Sequence, residues 1–146
     1  GNVENSVLDE LVLNNPADDL MNAGSSGIKV VEGEIKTEIV LPNKPHTNGT
    51  DGHWETILDK IDSMANTGEY KIIYSNKGLS NEISGAIPNR RPDIMGVRQD
   101  GIIDQFEIPS KTDDPAALLE RMLENQKILG ERAGSVQVVP IKKLEA

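Results

Sequence analysis

Apolar residues recur at helical spacing in the stretch that follows residue 53. Five apolar side chains follow one another at steps of three, one, three and three residues, which is typical of a helix that buries one face. Thr50 or Asp51 is placed to cap its N-terminus, and Gly68 comes after its last apolar position. The predicted stripe consists of Trp54, Ile57, Leu58, Ile61 and Met64.

A second helix is predicted further along the chain. It begins after Asp113 or Asp114, either of which can cap it, and Pro115 falls in the first turn, where no N–H is needed. Gly130 is a natural stop, because glycine tolerates the backbone angles that end a helix. Its predicted apolar stripe consists of Leu118, Leu119, Met122 and Leu129.

Short extended runs lie between and after these helices. Residues 70–75 predict a buried strand. Residues 93–98 and 102–108 flank Gln99-Asp100-Gly101, and Asp-Gly between two such runs is a strong signal of a hairpin. A last strand is predicted at residues 135–141. The order of helix, strand, hairpin, helix and strand predicts an α/β sandwich with a mixed sheet.

The first 45 residues are predicted to form a connector more than a core. A short helix is expected at residues 7–13 and a loop at residues 23–27. Alternation places Ile35, Thr37, Ile39 and Leu41 on one face of a strand that Pro42 ends. Turn-forming residues crowd positions 46–52, so we predict a boundary near residue 45, with a connector at 1–45 and a domain at 46–146.

Composition limits the classes of protein to consider. The chain has 146 residues, no cysteine and no apolar run near the roughly 20 residues that cross a bilayer. The lack of cysteine excludes disulfides and thiolate metal sites. The net charge is −9, which is unfavourable for binding nucleic acid unless bound metal cancels some carboxylates. Binding to a basic protein partner fits the charge equally well.

Two acidic residues of the hairpin carry the predicted chemistry. Counting back from the Asp100-Gly101 turn pairs Asp93 with position 107 or 108, so its side chain is expected near Glu107. Alternation puts Lys111 on the same face as Glu107 and turns Asp104 away, toward the surface. Carboxylates that hold divalent ions, with an ammonium nearby, suit phosphodiester hydrolysis.

The same residues resemble a known nuclease signature. Arg91-Pro92-Asp93, followed after the hairpin by Phe106-Glu107-Ile108-Pro109-Ser110-Lys111-Thr112, resembles the PD-(D/E)xK pattern. The wider stretch over residues 45–141 is similar to restriction-endonuclease-fold toxin domains at the C-termini of contact-dependent growth inhibition and Rhs polymorphic toxins. Val3-Glu4-Asn5 also resembles the boundary that precedes such toxin regions, although Ser6 replaces its fourth residue.

This resemblance implies a restriction-endonuclease-like fold and a set of site residues. Asp93, Glu107 and Glu55 would hold a divalent metal, Mg²⁺ or Zn²⁺, with Lys111 and Ser110 as further catalytic groups. Pro109 stands where the family has its lysine, so Lys111 can serve only if its side chain folds back or the strand bulges. The basic residues expected to line a phosphate track are Arg90, Arg91, Lys71 and Lys77.

Other polar residues are expected to have ordinary roles. His53 is predicted to be a capping or surface residue rather than a ligand or a base, and Glu82 is a weak site candidate in the loop before the hairpin.

The resemblance also implies a biological setting. The expected function is that of an antibacterial toxin domain, a metal-dependent nuclease acting on DNA or transfer RNA, with DNA slightly favoured. It would belong to a larger secreted or cell-surface toxin, act in the cytoplasm of the target cell, and be neutralised by a cognate immunity protein. Two alternatives remain open: a catalytically inert protein-binding module of the same fold, and a housekeeping repair or restriction nuclease.

Overall fold

The computed structural model describes residues 27–31 and 35–141, which form an α/β fold around one six-stranded mixed sheet. The strands lie in the sheet in chain order. They are β1 (Gly27–Val31), β2 (Ile35–Val40), β3 (Tyr70–Ser75), β4 (Ile94–Arg98), β5 (Ile103–Glu107) and β6 (Ala133–Val138). The helices are α1 (His53–Thr67) and α2 (Pro115–Leu129), and short 3₁₀ turns occur at Leu79–Asn81 and Gly130–Arg132.

The connections between strands explain why the sheet is mixed. β2 and β3 are parallel because α1 lies between them in the chain, and β5 and β6 are parallel because α2 does the same. The other neighbours are antiparallel. The predicted α/β class with a mixed sheet is therefore confirmed.

The N-terminal side of the predicted boundary contributes two strands to this sheet. β2 contains the predicted alternation and pairs with β3, whereas β1, which pairs with β2, was not predicted. Thr37, Ile39 and Leu41 are buried as expected, but Ile35 is exposed at the start of the strand. The helix predicted at residues 7–13 lies outside the described residues.

The predicted hairpin is confirmed. Ile94 pairs with Phe106 and Val97 with Ile103, so β4 and β5 run antiparallel. Gly101 has a φ of +92°, which an L side chain rarely adopts, and this explains the glycine in the turn. Extending the register by one pair brings residue 93 opposite residue 107.

Helix α1 covers one face of the sheet. All five residues of its predicted stripe are buried, in a cluster with Ile73, Ile94 and Phe106. The N-cap is Gly52 rather than the predicted Thr50 or Asp51. Gly52 has a φ of +85°, and the Thr50 hydroxyl instead accepts the N–H of Lys111 at 3.2 Å.

Helix α2 packs on the opposite face. Asp114 caps it by accepting the N–H of Ala116 at 3.1 Å, and Gly130 ends it, as predicted. Leu119 is exposed, contrary to prediction, because the buried side chains recur at helical spacing on a different line of the helix. These are Leu118, Met122, Asn125 and Leu129. In the described part of the chain, neither helix has the length and apolarity to span a membrane.

The prediction that Asp104 faces the surface is wrong. This residue is buried, because β5 is an interior strand between β4 and β6. Its carboxylate accepts two hydrogen bonds from Arg98, at 2.7 and 2.9 Å, and one from the Tyr70 hydroxyl at 2.6 Å. The N–H of Ser135 donates a fourth at 2.8 Å. Asp104 thus joins three strands instead of facing solvent.

Candidate active site

A polar cleft of about 580 Å³ opens where β4 begins and β5 ends. Asp93 and Glu107 line it from these two strands, and Arg121 and Asn125 line it from α2. The segment before α1 contributes His46. The other lining residues are Asn48, Asn76, Arg90, Arg91, Asp113 and Leu118.

The acidic pair lies together, as the register requires. The backbone N–H of Asp93 donates to the Glu107 carboxylate at 3.3 Å, and both side chains are buried. The Asp93 carboxylate accepts the N–H of Ile108 at 2.8 Å, which ties it to the end of β5. The predicted proximity of residues 93 and 107 is confirmed.

Two histidines surround the Asp93 carboxylate. Nε2 of His46 lies 2.9 Å from Oδ1, and Nε2 of His53 lies 3.5 Å from Oδ2. The two imidazole rings meet edge to face, with centroids 5.0 Å apart. Carboxylate and imidazole are both common ligands of divalent metal ions. Ligand atoms of His46, His53 and Asp93 all lie within 4.8 Å of one another, so this cluster has the spacing to hold a metal ion.

The ring of His53 is held by two carbonyl groups. Nδ1 donates to the backbone oxygen of His46 at 2.8 Å, and Nε2 donates to that of Ile108 at 2.9 Å. A carbonyl oxygen only accepts, so both ring nitrogens carry protons and the ring is an imidazolium. Burial by itself would lower the pKa of His53, but the bond to Asp93 and the two carbonyls outweigh it and raise the pKa. The predicted capping or surface role is wrong, since His53 is completely buried.

The pKa values of the two carboxylates are shifted in opposite directions. Burial would raise the pKa of Asp93, but hydrogen bonds from His46, His53 and the Ile108 amide hold it well below its ordinary value. Burial and the negative charge of Asp93 together raise the pKa of Glu107 far above its ordinary value. Within residues 27–31 and 35–141, no lysine or arginine nitrogen lies within ion-pair distance of Glu107. Glu107 is therefore the carboxylate whose charge lacks compensation.

Arginines form the positive edge of the cleft. Arg91 and Arg121 are exposed, and the charge of Arg121 is close enough to lower the pKa of Glu107 slightly against the larger effects. The guanidinium of Arg90 is held by two residues of α2: Nη1 donates to the Glu124 carboxylate at 2.9 Å and to the Asn125 side-chain oxygen at 3.2 Å. The cleft thus combines an acidic pair with two exposed arginines, Arg91 and Arg121, that an anion can reach from solvent.

Three residues expected in the site do not line this cleft. Glu55 is half-buried beside the loop at 47–52, in a separate depression. Lys111 is exposed, and the N–H of Ser110 donates to the Asp113 carboxylate at 2.9 Å. The Ser110 hydroxyl contacts that of Thr112 at 3.2 Å. The segment after Pro109 is therefore tied to Asp113 and, through the N–H of Lys111, to Thr50.

The remaining candidates separate into cleft and non-cleft residues. Arg90 and Arg91 line the cleft, whereas Lys71 and Lys77 do not. Lys71 lies near the start of β3, at the end of the sheet where Tyr70 pairs with Arg98. Glu82 accepts hydrogen bonds from the Tyr74 hydroxyl and from Arg132, the latter at 2.7 Å, and so serves the packing of the loop.

Seven residues that line the cleft were not predicted as site residues: His46, Asn48, Asn76, Asp113, Leu118, Arg121 and Asn125. His46 lies in a turn-rich segment 47 residues before its partner Asp93, and no local pattern connects them. Arg121 is a charged residue of the predicted second helix and was not assigned a role. It lies three residues after Leu118, and this spacing places the two side chains near the same face of the helix.

No protein-family model, no curated protein and no solved structure matches this chain.

Proposed function

We propose that this chain is a metal-dependent nuclease that hydrolyses phosphodiester bonds, with DNA ahead of transfer RNA as substrate. One observation carries the proposal: two buried carboxylates, Asp93 and Glu107, meet across a hairpin in a cleft edged by exposed arginines. Acidic oxygens that bind a cation, beside cations that bind phosphate, are the two requirements of this reaction.

The donors at the cleft fit a divalent cation. Asp93 and His46 offer a carboxylate oxygen and a ring nitrogen with the spacing of metal ligands, and Glu107 offers a second carboxylate in the same cleft. Glu107 is buried without a cationic partner among the described residues, which is costly unless a cation is bound or the group is protonated. When bound there, a divalent ion neutralises phosphate charge and acidifies a water molecule.

The protein's own residues orient the reacting groups. The Ile108 amide and the His53 ring fix the Asp93 carboxylate, so its oxygens are directed before substrate arrives. Arg91 and Arg121 are exposed at the cleft and are suited to bind phosphates on either side of the scissile bond. Asn76 anchors the edge of the site, because its N–H donates to the Asp93 carbonyl at 3.1 Å.

Element order supports a restriction-endonuclease-like architecture. The run α1, β3, the β4–β5 hairpin, α2 and β6 follows the order that the PD-(D/E)xK resemblance implies, with a helix on each side of the hairpin. By the same resemblance we propose a toxin domain of a larger secreted or surface protein, blocked in its producer by a cognate immunity protein.

A cleavage assay tests the enzymatic proposal. Supercoiled plasmid and total transfer RNA are incubated with chelator-treated protein, and Mg²⁺, Mn²⁺, Zn²⁺ or Co²⁺ is then supplied. Asp93→Asn and Glu107→Gln should each reduce the rate by about 100-fold or more, since several kcal/mol of charge stabilisation is lost. Glu120→Gln removes one exposed acid of α2 outside the cleft and should leave the rate unchanged. Intact plasmid and intact transfer RNA with every metal would refute the proposal.

The toxin setting has its own test. Induced expression of the wild-type chain in a bacterial host should arrest growth, and Asp93→Asn should not. Co-expression of a small gene that lies directly downstream of the natural reading frame should restore growth. Harmless expression of an active enzyme would favour a housekeeping nuclease.

A further inference from the structure

We propose that His46 is a direct metal ligand together with Asp93, so that the site selects a nitrogen-binding transition-metal ion over Mg²⁺. The catalytic role of that ion rests on the proposed nuclease function, whereas its binding does not. This inference adds a ligand from outside the acidic pair and names the class of metal.

The geometry at Asp93 suits a shared ion. Nε2 of His46 and Oδ1 of Asp93 lie 2.9 Å apart. Two ligands at about 2.1 Å from one ion are separated by about 3 Å at a right angle and by about 3.4 Å at the tetrahedral angle of zinc. A cation can therefore replace the proton between these atoms after the two side chains move apart by about half an ångström. Because His46 lines the cleft and is partly exposed, the ion has access from solvent.

The second histidine supports the site without binding the ion. Both ring nitrogens of His53 are engaged as donors to the carbonyl oxygens of His46 and Ile108, so neither offers a lone pair. The bond from Nδ1 of His53 instead holds the backbone of His46 at 2.8 Å. His53 thus acts as a positioning residue, which fixes the segment that presents the imidazole of His46.

Ligand chemistry gives the selectivity. Mg²⁺ prefers six oxygen ligands and keeps several waters, whereas imidazole suits Zn²⁺, Co²⁺ and Ni²⁺. The imidazole of His46 and the carboxylate of Asp93 belong to the mixed nitrogen and oxygen sets of catalytic zinc sites, which leave a position for water or substrate. The chain has no cysteine, so thiolate ligation does not compete.

Metal titration without nucleic acid tests this assignment. Calorimetry on chelator-treated wild type, His46→Gln and Lys44→Gln is carried out with Zn²⁺, Co²⁺ and Mg²⁺. His46→Gln should weaken Zn²⁺ and Co²⁺ binding by about 100-fold and change Mg²⁺ binding little. Lys44→Gln, an exposed change two residues earlier in the same segment, should bind as wild type does. Equal Zn²⁺ affinity in all three proteins would overturn the proposal.

A measurement on the wild type avoids dependence on a variant. Long-range ¹H–¹⁵N spectra resolve the ring nitrogens of the two histidines. Zinc should shift Nε2 of His46 strongly and leave both nitrogens of His53 in their protonated positions. A zinc-induced shift at His53 instead would show that His53, and not His46, is the metal ligand. Zinc bound as described with no cleavage of any nucleic acid would preserve this inference and defeat the nuclease proposal alone.

Discussion

His53 lies directly against Asp93, with Nε2 of the ring 3.5 Å from Oδ2 of the carboxylate, and both groups are buried. Because both ring nitrogens of His53 donate to carbonyl oxygens, the ring carries a positive charge. A buried positive charge needs a nearby anion, and Asp93 supplies it. The same contact aligns one oxygen of Asp93 while the other faces His46 and the cleft. Stability and the presentation of the site are therefore coupled at this pair.

Loss of the His53 ring should destabilise the metal-free domain. His53→Phe leaves two carbonyls without donors and removes the buried cation beside Asp93, which should lower the free energy of unfolding by about 3 kcal/mol. Urea denaturation in the presence of chelator measures this. Lys44→Gln is the control, since it is exposed and should shift the midpoint very little. A loss below about 1 kcal/mol for His53→Phe would contradict a charged ring.

Glu107 should make the metal-free domain less stable as the pH rises. Its folded-state pKa lies above its ordinary value of 4.5, so the folded domain holds this proton more tightly than the unfolded chain does. The stabilisation is complete below that ordinary value and is lost as the pH rises through the folded-state pKa. Glu107→Gln stays neutral, so its advantage over wild type should grow with pH, by at most about 1.4 kcal/mol per unit.

Paired denaturation curves from pH 4 to pH 9, with chelator present, measure that difference. The raised pKa of His53 acts in the same direction, but in both proteins, so it largely cancels in the comparison. Saturating Zn²⁺ should reverse the order at pH 8, because only the wild type keeps both carboxylate ligands. A pH-independent difference between the two proteins would show that Glu107 is already charged when buried.

Local patterns were sufficient for both helices, the hairpin and the acidic pair, but not for β1. The spacing of the α1 stripe, the cap at Asp114 and the Asp-Gly turn depend on near neighbours in sequence, and each is present in the structure. The Asp93–Glu107 proximity follows from counting along a hairpin, where register is fixed by the turn. Such features require no knowledge of the rest of the fold.

Long-range contacts decided what the sequence did not show. His46 meets Asp93 only because α1 and the β4–β5 hairpin pack together, and no pattern near residue 46 indicates that contact. Asp104 follows the expected alternation, but its face of the sheet is covered by neighbours from β3 and β6. Alternation tells which face a side chain is on, and only the complete sheet tells what lies over that face.

The Asp104 network should stabilise the sheet without affecting metal binding. Asp104→Ala removes the acceptor of Tyr70, Arg98 and Ser135, which should lower the free energy of unfolding by about 3 kcal/mol. Tyr70→Phe removes a single hydrogen bond and should cost about 1 kcal/mol. Thermal and urea denaturation measure both values. Zinc affinity of the folded Asp104→Ala protein should equal that of wild type, and a tenfold change would mean that the network extends to the cleft.

The PD-(D/E)xK resemblance implies that Lys111 is catalytic, whereas its position in the structure does not place it in the cleft. Its side chain is exposed and does not line the cleft, while its N–H bonds to Thr50. We therefore expect Lys111→Ala to keep the cleavage rate within about threefold of wild type, since an exposed distant charge contributes little. Single-turnover kinetics at saturating metal measure the rate. A loss of 100-fold or so would show that this lysine reaches the acidic pair when substrate binds, as the PD-(D/E)xK resemblance implies.

Salt dependence should separate the arginines of the cleft from a lysine at the far end of the sheet. Arg91 and Arg121 are exposed at the cleft, so each is expected to neutralise one phosphate of bound DNA. Lys71 is four residues before Ser75 along β3, about 13 Å from the strand end where the cleft opens. Fluorescence anisotropy with a labelled duplex, in which Ca²⁺ replaces the catalytic metal, measures affinity across a salt series. The slope of log affinity against log salt concentration is negative. It should become shallower by about one for Arg91→Ala or Arg121→Ala and stay unchanged for Lys71→Ala. Equal slopes in all four proteins would place the DNA on another surface, because charge that contacts phosphate cannot be removed without releasing fewer counterions.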